Sequence, residues 1–184
     1  MSFTALQSAA PFLLDRAQQL FGAQVPMTPS LEVDFAANGP ILDSTSQPGR
    51  LVAYLAPSTA YDLNKGLFQL SHEVFHALAP FPGTVALMIE EAGAVWFSLY
   101  GHVYPWDQYL ERSEEYLRGD PASANYFEAL KLYFELNAVY PGALRYLRVS
   151  YPRLNDLDPA KIRALIPDVS PDLANRLCER RQMR

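Results

Sequence analysis

Cysteine is nearly absent: Cys178 is the only one in 184 residues. An intrachain disulfide and a cysteine-ligated metal cage are therefore excluded. Long apolar runs are missing as well. The apolar stretch around residues 85–100 is broken by Glu90 and Glu91, and no run reaches the roughly 18 residues that a membrane-spanning helix needs. Positive charge is sparse and scattered, with 15 Lys and Arg against 20 Asp and Glu and a formal net charge of -5. Without a basic stripe, nucleic acid is not an expected partner. The one basic cluster, Arg176, Arg180, Arg181 and Arg184, reads as a solvated helix end favoured by the helix dipole. The first twenty residues lack a basic n-region, and Asp15 and Arg16 stand where an apolar h-region would continue. They read as an amphipathic helix, not a signal peptide. A cytoplasmic protein is the expectation, with export by a route lacking a classical signal left open.

The chain is 49% hydrophobic and 19% charged, values of a globular fold that can bury a core. Apolar residues from Phe3 to Phe21 recur at helical spacing, with Gly22 as a stop. Leu31 to Ala36 alternates and reads as a half-buried strand. Residues 40–50, rich in Ser, Pro, Gly and Asp, read as a loop, and Arg50 to Ala56 as a second strand. A helix over 63–79 follows, with Asp62 as N-cap and Pro80, Pro82 and Gly83 as a hard stop. Thr84 would cap the next helix, which runs to Tyr100 and closes at Gly101. Further helices are expected over 106–118, 122–138, 142–150, 159–165 and 170–181. The fold class is α+β, with a small N-terminal β-sheet and a mostly helical C-terminal half. No domain boundary or internal repeat is visible, so residues 1–184 read as one domain.

The chemistry concentrates in His72-Glu73-Val74-Phe75-His76, which takes two of the three histidines in the chain. Residues four apart share a helix face, so both imidazoles can reach one zinc ion. Zinc lowers the pKa of water from near 16 to about 7, and Glu73, about 100° round the helix from His72, is placed to take the proton. A catalytic zinc takes three protein ligands. A third histidine on the long HExxHxxGxxH pattern is ruled out, because Ala79 and Pro82 occupy the glycine and histidine positions. Glu90 and Glu91, on the following helix, come level with the histidines. That helix is apolar on all faces and so buried. A buried carboxylate requires a cationic partner, and zinc is the evident one. The competing reading is a helix whose glutamates pair with arginines. His102 reads as a capping or surface residue.

The segment LFQLSHEVFHALAPFPGTVALMIEEAGAVWFSLY resembles the catalytic core of the gluzincin metallopeptidases, which carry HExxH on one helix and an E-G-x-A-x-Y/F segment on the next. The resemblance covers roughly residues 50–150 and implies a zincin-like fold, with residues 153–184 a helical extension. It implies that His72, His76 and Glu91 are zinc ligands, that Glu73 is the general base, and that Glu90 supports a histidine from behind. Val139-Tyr140-Pro141-Gly142-Ala143 is similar to the family's tyrosine segment and implies that Tyr140 stabilises the oxyanion. Ala92 stands where the family has glycine. RLVAYLAPS, at residues 50–58, has no acidic residue to hold a free amino terminus, so the resemblance favours an endopeptidase over an aminopeptidase. The expected partner is a peptide or protein substrate, paired along the strand Leu51 to Ala56 as an edge. A zinc-stabilised interaction domain with the same ligands and no turnover is the alternative. The sequence specifies neither the substrate nor an oligomeric state.

Overall fold

These patterns become an α+β architecture in the computed structural model of the chain, which describes residues 2–22, 30–44, 50–81, 85–106 and 108–183. Helix α1 (Ser2–Phe21) buries Leu6, Ala10, Leu13, Ala17 and Phe21, a stripe at spacings of three and four residues. Strands β1 (Leu31–Phe35), β2 (Ile41–Asp43) and β3 (Leu51–Leu55) form one sheet in the order β1-β3-β2. The β1–β3 pair is parallel and β2 runs antiparallel to β3.

Two strand expectations change. Residues 41–43 are not loop; they form β2, while residues 45–49 lie outside the described residues. Three residues carry no readable alternation, and what holds them is pairing with Tyr54, Ala53 and Val52. Gly39 allows the approach, since a Cβ there would stand 2.6 Å from the Leu55 carbonyl carbon. The strand expected as the edge, Leu51–Leu55, is the central one. It is paired on both sides and buried at every position but Tyr54, which matches its nearly unbroken apolar run.

Helix α2 (Leu63–Ala77) starts at Asp62, whose carboxylate accepts the Lys65 N–H at 3.0 Å. Helix α3 (Met88–Tyr100) starts three residues later than expected; Thr84 lies outside the described residues. Its first turn is set from far along the chain. Leu87 N–H donates to Asn155 Oδ1 at 2.7 Å, and Met88 N–H donates to the Glu179 carbonyl at 2.8 Å. Leu87 also forms a β-bridge with Arg180. The same pairing explains why α8 (Pro171–Leu177) stops short of residue 181. Between them lie α4 (Tyr109–Gly119), α5 (Ala124–Val139), α6 (Ala143–Ser150) and α7 (Pro159–Leu165). One apolar cluster extends from Leu6 of α1 to Leu177 of α8. No helix among the described residues is long and apolar enough to cross a membrane.

Helices α2 and α3 are in tight contact at Gly93. A Cβ at this position would lie 2.1 Å from Phe75 Cζ, and the Phe75 ring is itself packed edge-on to Phe21 at 4.9 Å. Gly93→Ala should therefore force overpacking of about 1–3 kcal/mol, offset by up to about 1 kcal/mol from better helix propensity. Thermal denaturation is expected to show a lower melting temperature. An unchanged melting temperature would mean that Phe75 moves aside freely.

Candidate metal centre

The end of α2 meets the beginning of α3, and this junction brings His72, His76 and Glu91 together. One ligand atom from each lies within 4.8 Å of the others. His72 Nε2 is 3.1 Å from His76 Nε2 and 3.2 Å from Glu91 Oε2, and His76 Nε2 is 3.8 Å from Glu91 Oε1. Tetrahedral zinc with bonds of about 2.0–2.2 Å has ligand-to-ligand edges of roughly 3.3–3.6 Å, so the trio fits such an ion. Glu91 Oε2 is buried and, despite its closeness to His72, has no hydrogen-bond partner among the described residues. The carboxylate and the two imidazoles converge on one point, an arrangement that suits a shared cation. The helix ends assist, because Glu90 and Glu91 lie in the first turn of α3 and His76 in the last turn of α2. Carboxylates at an N-terminus and a cation at a C-terminus both complement the helix dipole.

Glu90 stands behind His76. Its Oε1 is 3.4 Å from His76 Nδ1, so a proton on Nδ1 leaves the Nε2 lone pair facing the cluster. Burial lowers the pKa of Arg148, a buried residue of α6, and the charge of Glu90 opposes this. The fit of a metal rests on Glu91 and the two imidazoles.

The two carboxylates closest to the chemistry are pushed apart. Burial raises the pKa of Glu73 above its ordinary 4.5, and the charge of Glu91 adds to this; His72, His76 and a backbone hydrogen bond from Leu42 of β2 oppose it. Burial pushes Glu91 upward too, but the charge of His76 and the contact with His72 outweigh it and hold its pKa below 4.5. An ionised Glu91 suits a ligand, and a Glu73 inclined to hold a proton suits an acid–base group.

All of these groups except Arg148 line one cleft of about 770 Å³. Residues 40–44 around β2 form one part of its wall, and Arg181, Gln182 and Met183 another. Tyr140 does not reach it. This residue caps the far end of α5, is 38% exposed and packs on Tyr146 at 5.1 Å. Two tyrosines line the cleft, Tyr54 and Tyr126, and the ring of Tyr126 lies 5.9 Å from that of His72. Fourteen residues separate Tyr126 from Tyr140, about 21 Å along a helix, so a spacing match on Tyr140 picks the end of α5 away from the cleft. Helical periodicity offers the missing signal, since Tyr126 lies three and four residues before the buried Ala129 and Leu130.

Burial disfavours a charged His76, but Glu91, Glu90 and Glu73 overcome it and raise its pKa to about 9. Zinc must displace that proton. Zinc affinity should rise about tenfold per pH unit from 7 toward 9, and calorimetry at pH 7 in buffers of different ionisation heat should report release of about one proton. The raised pKa stabilises the metal-free chain fully below the unfolded value of 6.5, and this contribution is lost as pH climbs toward about 9. An affinity independent of pH across that window would contradict the assignment of His76.

The chain matches no family model, no curated protein and no solved structure.

Proposed function

We propose that the chain is a zinc-dependent hydrolase of the gluzincin type that cleaves peptide bonds as an endopeptidase. The observation that carries this reading is the convergence of two imidazole nitrogens and a carboxylate beside buried Glu73, in a cleft of about 770 Å³. A zinc ion held by His72, His76 and Glu91 supplies a Lewis acid and makes water ionisable near neutral pH. Glu73 takes the proton from the attacking water and gives it to the departing amine. Its raised pKa brings it closer to the working pH for both transfers. Strand β2, the outer strand beside β3, lines the cleft where an extended substrate would lie. A small sheet with an antiparallel edge strand beside the histidine helix supports the zincin-like reading of the fold. Tyr126, in place of Tyr140, is the candidate donor to the carbonyl oxygen as charge develops there.

A broad peptide library tests this directly. Glu73→Gln should keep its zinc and lose about 10²–10⁴ in kcat. Tyr126→Phe should lose about 10²–10³ in kcat, and Tyr140→Phe should behave like the parent chain. Wild-type turnover by the Glu73→Gln variant would refute the mechanism.

A further inference from the structure

Among the described residues, the buried polar side chains that line the cleft are His72, Glu73, Glu90, Glu91 and Asn155. The first four belong to the metal site, and the proposed reaction leaves Asn155 unused. This residue sits in a single 3₁₀ turn, Leu154–Asp156, closed by the Leu157 N–H donating to the Leu154 carbonyl at 3.1 Å. It is 6% exposed, and its Oδ1 accepts the Leu87 N–H at 2.7 Å. A backbone N–H can only donate, so that contact assigns the oxygen end of the side-chain amide. The other end is therefore the NH₂ group, which can only donate. Asn155 Nδ2 makes no hydrogen bond among the described residues, yet it is not sealed away as His72 Nδ1 and Glu91 Oε2 are. A buried amide is thus anchored by its oxygen and has its donor to spare at the cleft.

We infer that Asn155 is a substrate-binding residue whose Nδ2 donates to a backbone carbonyl of the peptide in the cleft. This rests on the hydrolase reading of the site. The ligand chemistry follows from what already lines the cleft. Asp43, Glu73, Glu90 and Glu91 supply carboxylates, whose oxygens do not attract a carbonyl oxygen. A peptide brings one carbonyl acceptor per residue, so a fixed neutral donor is the complement it needs. The anchor also ties this donor to the metal site. Leu87 is the N-cap of α3, and Glu91 follows four residues later, about 6 Å along the helix. One amide thus holds the start of the helix that carries Glu91 and offers its free end to the substrate. About 6 Å is also the length of two residues of extended chain. The carbonyl that Asn155 meets is therefore a neighbour of the scissile one, which stays with the metal.

Kinetics on the best-cleaved peptide of the library test this with Asn155→Asp and Asn155→Ala. The Asp variant keeps the oxygen that accepts from Leu87 and loses the donor, whereas the Ala variant loses both. Asn155→Asp should keep its zinc and a melting temperature close to that of the wild type. Its KM should rise by about 3- to 10-fold with kcat little changed, the size of one hydrogen bond made equally in the ground and transition states. Asn155→Ala should show the same rise in KM together with a lower melting temperature, because the Leu87 N–H is left unpaired. A second series locates the contact: each non-scissile C=O of the peptide is replaced in turn by C=S, a weaker acceptor. One analogue should lose about 3- to 10-fold in kcat/KM with the wild type and less than about twofold with Asn155→Ala. Should Asn155→Ala fail to fold, the series is run on Asn155→Asp, with the same insensitivity expected. The inference is overturned if Asn155→Asp keeps KM within about twofold of the wild type, or if every analogue loses as much with the variant as with the wild type. A wild-type chain that cleaves no peptide would overturn the hydrolase reading itself, and this inference with it.

Discussion

The close approach of α2 and α3 is the constraint on which the rest of the structure depends. Gly93 lets Phe75 lie against the α3 backbone, where any side chain would collide with the ring. That contact places the last turn of α2 against the first turn of α3, so a histidine pair and a glutamate pair meet where the helix dipoles favour both. The sheet brings β2 to the same junction, with a Leu42 backbone hydrogen bond to Glu73. From the other direction, Asn155 and Glu179 accept the N–H groups of Leu87 and Met88 and fix where α3 begins. Three distant parts of the chain therefore serve one helix junction.

The site is negatively charged by composition, and the fold compensates in stages. Glu91 faces both imidazoles, Glu90 faces His76, and Glu73 is driven toward its neutral form by burial. The metal-free site can satisfy part of this demand with a proton on His76. It cannot satisfy all of it, because Glu91 Oε2 and His72 Nδ1 stay buried without hydrogen-bond partners among the described residues. A divalent cation at the centre of the trio would meet the carboxylate oxygen directly.

Local pattern carried much of the architecture. The apolar stripe of α1, the alternation of β1 and the Asp62 cap of α2 all act within a few residues, and each is legible in sequence. The three site residues were legible too, since i and i+4 spacing on one helix and an apolar helix after a short turn need no tertiary information. What stayed hidden depends on pairing across the chain. Strand β2 exists because β3 pairs with it, β3 is central because both neighbours find it, and the start of α3 is set by residues 155 and 179. Tyr126 and Arg148 were missed for another reason. Both lie on helix faces that periodicity reveals, but only the folded chain shows that Tyr126 turns toward His72 and Arg148 toward the end of α2.

The central claim is that His72, His76 and Glu91 hold one zinc ion. X-ray absorption at the zinc edge on purified protein tests it most directly. The account predicts about one zinc per chain, with two imidazole nitrogens at about 2.0–2.1 Å and carboxylate oxygen at about 2.0–2.2 Å, and loss of the imidazole scattering in a His72→Ala/His76→Ala variant. A chain that retains no zinc, or zinc whose spectrum is unchanged in that variant, would contradict it.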